Sequence, residues 1–319
     1  MKIIQKTLKE DNYHSVLKLD KLEIGVHVPF DIFVKKENDF VIILEEGTLL
    51  TQKMYNFLQK QSTLYVLEKE ACKTKLNCHN IFSFVKNNHE LYRRVLEAIY
   101  EVNSKHFASF LSDKENNFNL ACIERVIEAI IFLLHQEKHY IKETMKFFKN
   151  EYSVDVHSLH VALYAVNLGM LLKLRDDEIK TLGISALLHD IGISSIDEEI
   201  LRKKAKLDLV EQRIIHQHPK DGITILRHNK VRDPYVLDAV LHHHERYDGS
   251  GYPDRLKENK INKFASIVAI CDVFDAMTTN RPYREKFTSF DALKFLLKDP
   301  STRGKFNDHY LRVFLLSLQ

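Results

Sequence analysis

The sequence predicts a mainly α protein with a small α+β module at its amino end. Three observations carry this reading. From about residue 80 apolar residues recur at intervals of three and four, as in "HELYRRVLEAIYEVNSKHFASFL" and "IERVIEAIIFLLHQE", the spacing that lines one face of a helix. Earlier stretches are short runs rich in Val, Ile and Phe, "KLEIGVHVPFDIFVKK" and "DFVIILEEGTLL", punctuated by Gly25, Pro29 and Gly47. That is the signature of strands and turns. Seven of the nine glycines and five of the six prolines follow residue 150, which marks a change of architecture. The expected division is an α+β module over 1–75, a helical connector over 76–150 and a helical bundle over 151–319.

Within the module, "TQKMYNFLQKQ" reads as a short helix and "STLYVLEKE" as a returning strand. In the bundle, "HSLHVALYAVNLGMLLKL" is a helix, and "DDEIKTLGISALLHD" is a second that opens on acidic residues. "DLVEQRIIHQH" carries Asp208 and Glu211 at capping-box spacing. "DPYVLDAVLHHHE" starts on Asp233 as cap, with Pro234 in the first turn where its missing N–H costs nothing. "KFASIVAICDVFDAMTT" is an apolar helix interrupted by two aspartates, and "SFDALKFLL" and "DHYLRVFLLSL" close the chain.

Composition excludes several classes. The 47 basic and 44 acidic residues of this 319-residue chain leave a net charge of +3, too balanced for a general nucleic-acid or membrane surface. Apolar content of 45% with 29% charged residues is that of a globular protein. The four cysteines, Cys72, Cys78, Cys122 and Cys271, form no CxxC pair, so reduced thiols are expected rather than disulfides or a thiolate zinc site. The opening "MKIIQKTLKEDNYHSV" has no apolar signal core, and no run of about 18 apolar residues follows. The expected location is the cytoplasm.

The 17 histidines are the unusual count. His157 opens a helix, His189 and Asp190 end the next, His218 follows 28 residues after Asp190, His243 and His244 end another helix, and Asp272 sits mid-helix 28 residues after His244. Each interval is about one helix plus a connection, so these groups can recur at one height in a packed bundle. "ALLHDIG" and "IVAICDVFDAM" put carboxylates on apolar helices, where an unpaired charge is costly. A divalent cation is an effective partner, and imidazole with carboxylate and no thiolate suits Fe, Mn or Zn better than Ca or Mg. A carboxylate can also bridge two ions. His160, His216 and His228 fall outside the series, His242 reads as a helix-surface residue, and Asp275 as a supporting partner.

His157, "HD" at 189–190 and Asp272 resemble the ligand series of the HD superfamily of metal-dependent phosphohydrolases. His218, "HHE" at 243–245, "DGSGYP" at 248–253, "ILRKKAKL" at 200–207, "HPKDG" at 218–222 and "DVFDAMTTNRPYR" at 272–284 resemble the HD-GYP subfamily specifically. The resemblance covers about 155–315 and implies an HD-type helical bundle that hydrolyses cyclic di-GMP to pGpG or GMP. It implies two divalent ions, Fe or Mn: His157, His189, Asp190 and Asp272 on one, and His218 with His243 and His244 on a second bridged by Asp190. His189 and Asp190 would be the catalytic pair. Gly251, Tyr252 and Pro253 would shape the substrate cleft, with Arg281 and Lys203 contacting substrate. "LEIGVHVPFDIF", "EEGTLLT" and "STLYVLEKE" resemble a small domain often found ahead of HD-GYP domains. A protein partner at the GYP loop or at that module, and an oligomer, are compatible with this pattern.

Two departures bear on activity. Where the family reads "HDIGK", this chain has Ile193 in place of the lysine, which implies slow catalysis, or a metal-bearing receptor for cyclic di-GMP as the alternative. Members with three metals carry a glutamate four residues before the first histidine; Ser153 stands there, which favours two.

Overall fold

The computed structural model describes residues 7–8, 14–17, 19, 22, 24–25, 28, 30–36, 39–45, 47–67, 76–78, 80–89, 92–113, 115–136, 153–201, 203, 205–279 and 287–317. The chain forms two compact units, Met1–Asn77 and Cys78–Gln319.

The first unit is a five-stranded antiparallel sheet of β1 (Thr7–Leu8), β2 (His14–Leu17), β3 (Ile32–Lys36), β4 (Asp39–Leu44) and β5 (Leu64–Leu67), in the order β1-β4-β3-β5-β2. Alternation along β3 explains how both faces are filled, since successive side chains point to opposite sides. Ile32 and Val34 join a core with Val41, Leu44 and Leu58, whereas Phe33 packs with Ile42, Phe40 and Tyr65 on the other side. Leu58 belongs to α1 (Gln52–Leu58), which starts where the Thr51 hydroxyl accepts from Met54 N–H. Gly25, expected as punctuation in the first apolar run, lies in a turn at Ile24–Gly25. The backbone here is tied across by Gly25 N–H to Leu50 O and Val28 N–H to Thr48 O.

Among the described residues, the regular structure of the second unit is helical throughout. It comprises α2 (Ile81–Asn88), α3 (Tyr92–Ser112), α4 (Leu120–Gln136), α5 (Val154–Leu171), α6 (Asp176–Leu188), a 3-10 turn (Ile191–Ser195) and one helical turn (Glu198–Leu201). Then come α7 (Leu209–Ile215), α8 (His218–His228), α9 (Pro234–His242), α10 (Lys263–Thr278), α11 (Ser289–Lys298) and α12 (Asp308–Ser317). The expected caps are in place: Asp208 accepts from Val210 and Glu211 N–H while Glu211 accepts from Asp208 N–H, and Asp233 accepts from Tyr235 and Val236 N–H.

The helices read as a connector are packed into the bundle. Val126, Ile127, Ile130 and Leu133 of α4 are fully buried, and the Lys180 ammonium on α6 pairs with Glu124 and Glu128 of α4. The Asn103 amide on α3 donates to Asp155 O at the start of α5. By length and composition alone α5 could cross a membrane, yet 72% of it is buried inside the protein, which makes it the core helix of this bundle.

The expectation of free thiols fails at one pair. Cys78 and Cys122 form a disulfide with Cα atoms 4.7 Å apart. They lie 44 residues apart, so no local spacing could announce the pair; it exists because α4 folds back beside the start of α2. Cys271 is free and buried.

Truncation and mutation should reflect this packing. A fragment starting at residue 78 is expected to unfold cooperatively on heating, followed by circular dichroism. One starting at residue 146 should melt markedly lower, because it loses the α4 face of the core. Ile127→Ala in the whole chain should cost about 2–5 kcal/mol, the range for emptying a large apolar site.

Candidate metal centre

Five helix ends or faces converge on one buried point. His157 lies in the first turn of α5, His189 caps the end of α6 with Asp190 next, His218 begins α8, His243 caps the end of α9, and Asp272 lies within α10. Helix ends suit the task, because a side chain there can project past the last turn into a shared space. The link between α6 and α8 depends on Gly192. A Cβ at that position would sit 2.0 Å from His218 O and 2.5 Å from Gly222 N, so only glycine lets the 3-10 turn after Asp190 approach α8.

The groups form two sets. His157, His189 and Asp272 make one, and Asp190, His218, His243 and His244 the other, with each set's donor atoms within 4.8 Å of one another. Asp190 faces both. Its Oδ1 lies 3.2 Å from His218 Nε2 and 3.5 Å from His243 Nε2, and its Oδ2 lies 3.4 Å from His189 Nε2 and 3.7 Å from His157 Nε2. Asp272 lies 3.3 Å from His157 Nε2 on one oxygen and 3.9 Å from His244 Nδ1 on the other.

The opposite ring nitrogens decide the tautomers. Nδ1 of His189, His218 and His243 sits 2.7–2.8 Å from the carbonyls of Ala186, Ile215 and Val240. A carbonyl only accepts, so each Nδ1 carries hydrogen, and each ring turns its Nε2 to the centre, where the neutral form has a bare lone pair. His157 Nδ1 is held at 2.7 Å by Asp275, which also receives His160 Nδ1 at 2.9 Å.

This arrangement fits a cation. His189 Nε2 is buried without a hydrogen-bond partner. The Nε2 atoms of His218 and His243 face each other at 3.3 Å, with room for a proton or a cation between them. Electrostatics point the same way. Burial opposes the charge on Asp190, yet His189, His218 and His243 hold its carboxyl well below the usual range. Asp272 is likewise lowered against burial, through His157 and His244. Burial, with the neighbouring imidazoles, pushes His243 down to about 4, and lowers His244 well below its usual value. Burial opposes charge on His157 too, but hydrogen bonds to Asp272 and Asp275 win and raise it to about 10. Burial opposes charge on His218 as well, but Asp190 raises its pKa. Ionised carboxylates among imidazoles are a nitrogen–oxygen donor set for a divalent metal.

Beside the centre lies the 248–253 loop. Gly251 is required by contact, since a Cβ there would meet Arg246 N at 2.4 Å and Glu245 Cα at 2.5 Å. The Tyr252 ring stacks on His244 at 4.7 Å and on His216 at 4.0 Å. Burial, then Asp190 and Asp272, raise its phenol, so it stays neutral. Pro253 follows across a cis bond. Two supports went unread in the sequence. Glu245 is 2% exposed and accepts from Asp254 and Leu256 N–H, clamping the far side of the loop. His242, expected on a helix surface, is 7% exposed and bridges Asp238 to Asp254; a histidine run at a helix end hides which ring turns inward. Lys203 pairs with Glu211. Arg281 lies outside the described residues. Ile193 is half-buried in the 3-10 turn.

A helical bundle with two clustered His/Asp groups around a shared aspartate defines a protein built to bind metal. The chain belongs to the HD domain family, which matches residues 128–303. It is 34% identical over 160 residues to a cyclic di-GMP phosphodiesterase of Pseudomonas aeruginosa, covering 50% of this chain and 38% of that protein. Identity is 40% over 151 residues to a cyclic di-GMP phosphodiesterase response regulator of Xanthomonas campestris, covering 47% of this chain and 38% of the relative. A 3'3'-cGAMP-specific phosphodiesterase of Vibrio cholerae is 39% identical over 133 residues, 41% of this chain and 26% of that one. The matches thus span well under half of each relative. A solved HDG"Y"P protein from Bdellovibrio bacteriovorus shares the fold, with a TM-score of 0.61 over 95% of this chain and 98% of its own, at 17% identity.

Asp275→Asn should weaken metal binding by about 10–100-fold, because it loosens the partner that orients His157; titration of metal-free protein measures it. Glu245→Gln leaves one acceptor where two are used. It should speed amide hydrogen exchange at Asp254 and Leu256 while metal affinity changes little.

Proposed function

We propose that the protein hydrolyses cyclic di-GMP to pGpG or GMP at a centre of two divalent ions, Fe or Mn. The observation that carries this is the split of Asp190, one oxygen toward His218 and His243, the other toward His157 and His189. His157, His189, Asp190 and Asp272 would hold one ion, and Asp190, His218, His243 and His244 the other. Such a pair supplies Lewis-acid polarisation of a phosphodiester and activation of water at neutral pH.

The protein's own groups do the rest. The backbone carbonyls behind His189, His218 and His243, and Asp275 behind His157, fix the rings so that little reorganisation accompanies the reaction. The exposed outer face of His216, stacked on Tyr252, offers a planar surface beside the centre, suited to a purine base. Gly251 lets the loop approach closely, with Pro253 at its end. Arg281 and Lys203 are proposed substrate contacts, Lys203 after release from Glu211. We place the reaction in the cytoplasm, where a nucleotide messenger acts, with the sheet unit or the loop meeting any protein partner.

Relatives named for 3'3'-cGAMP motivate a second reading in which one base is adenine. Parallel turnover assays on both cyclic dinucleotides with Mn²⁺ or Fe²⁺ separate the two. Binding of cyclic di-GMP without turnover would instead mark a receptor and overturn the enzymatic proposal.

Asp190→Ala should remove both ions by elemental analysis; retention of one would refute the bridge. Ile193→Lys should raise kcat about tenfold or more, since a charge-assisted contact to developing negative charge acts mainly in the transition state. Half-burial of Ile193 leaves room for a lysine head to reach solvent, so its melting temperature should stay close to that of the native chain.

A further inference from the structure

Away from the His/Asp centre, a second group of metal-ligating side chains comes together where α3 and α4 meet the start of α2. Cys78 precedes α2, His106 lies on α3 and Cys122 on α4, and one donor atom from each lies within 4.8 Å of the other two. Burial lowers the pKa of His106, which favours its neutral imidazole. Its Nε2 is buried with no hydrogen-bond partner, which is costly for a ring nitrogen unless something else occupies it. Cys122 is fully buried, while Cys78 is half-buried. Cys78 is thus the less buried half of the disulfide.

We propose that Cys78, Cys122 and His106 form a redox-gated site for a soft divalent cation of the zinc type. Reduced, the two thiolates and the His106 imidazole hold the ion; oxidised, the sulfurs pair as the disulfide and release it. Two thiolates and one imidazole are the donors that select zinc over the harder cations suited to carboxylates. Tetrahedral bonds of about 2.3 Å separate the two sulfurs by about 3.8 Å. Reduction thus requires them to part modestly, and Cys78, in a turn ahead of α2, is free of helical constraint to allow it. Three protein ligands leave one position for water.

The oxidant is a small-molecule disulfide. One cysteine thiolate attacks it, forming a mixed disulfide and expelling one small thiolate; the second cysteine thiolate then displaces the other. The protein sulfurs give up two electrons in total, the reagent accepts them as two thiolates, and the cation leaves to solvent. The setting ties this site to the rest of the unit. His106 shares a small cavity with Ser158, Leu188 and Ile191, the immediate neighbours in sequence of His157, His189 and Asp190.

Cobalt is the probe, because only thiolate ligands give Co²⁺ an intense near-ultraviolet charge-transfer band. Cobalt at the His/Asp centre stays silent in that region. The full chain is reduced with a phosphine under argon, desalted and titrated with Co²⁺. The expected result is a saturating band that excess Zn²⁺ abolishes. It should be absent in Cys78→Ser and in Cys122→Ser, and at least about tenfold weaker in affinity in His106→Ala, as for loss of one ligand or its support. Adding a small disulfide should extinguish the band as two thiols per chain disappear. A reduced native chain with no band overturns the site, and that reading needs no variant to fold. A band surviving in Cys78→Ser, whose half-exposed position tolerates serine, assigns the thiolate elsewhere and also overturns it. Unchanged affinity in His106→Ala removes the histidine, and a band that outlasts oxidation removes the gate.

Discussion

The buried charge of Asp190 is the constraint on which the second unit is organised. A carboxylate at 7% exposure is untenable in an apolar bundle unless partners surround it. Here four imidazole nitrogens stand within 3.2–3.7 Å of its two oxygens. Those imidazoles come from α5, α6, α8 and α9, so four helices must present an end or a first turn at one level. Gly192 lets the turn after Asp190 press onto α8, and the carbonyls behind three of the rings leave a single orientation for each. Packing of the bundle and geometry of the site are one problem with one solution.

The loop after the histidine run extends the same logic outward. Glu245 continues directly from His243 and His244, and its buried carboxylate ties down Asp254 and Leu256 N–H. The chain between is thereby drawn over the centre, with Gly251 against the backbone of Glu245 and Arg246 and Tyr252 against His244. His216, at the end of α7, completes the stack from the other side. Any ligand entering there meets the exposed face of His216 beside concentrated charge.

Helices α3 and α4 give the bundle more than a connection. α4 contributes the buried Val126, Ile127 and Ile130 and carries Cys122, which is bonded to Cys78 ahead of α2, and α3 carries His106. The family match, which starts at residue 128 within α4, agrees with placing α4 in the same unit as the helices that hold the site. The sheet unit is a separate compact body with its own two-sided core.

By itself the sequence determined the mainly α class, the caps at Asp208 and Asp233, and the recurrence of His and Asp once per helix, because these are written in local spacing and local hydrogen bonding. Strands β3, β4 and β5 were legible for the same reason. Tertiary structure alone decided that Asp190 divides its oxygens between two sets of imidazoles, that His242 turns inward, that Glu245 clamps the loop and that Cys78 meets Cys122. It also joined Gly25 N–H to Leu50 O and Val28 N–H to Thr48 O across the first unit. Periodicity reports which face of a helix a residue occupies. Which residue it meets across a gap depends on how helices far apart in sequence pack together.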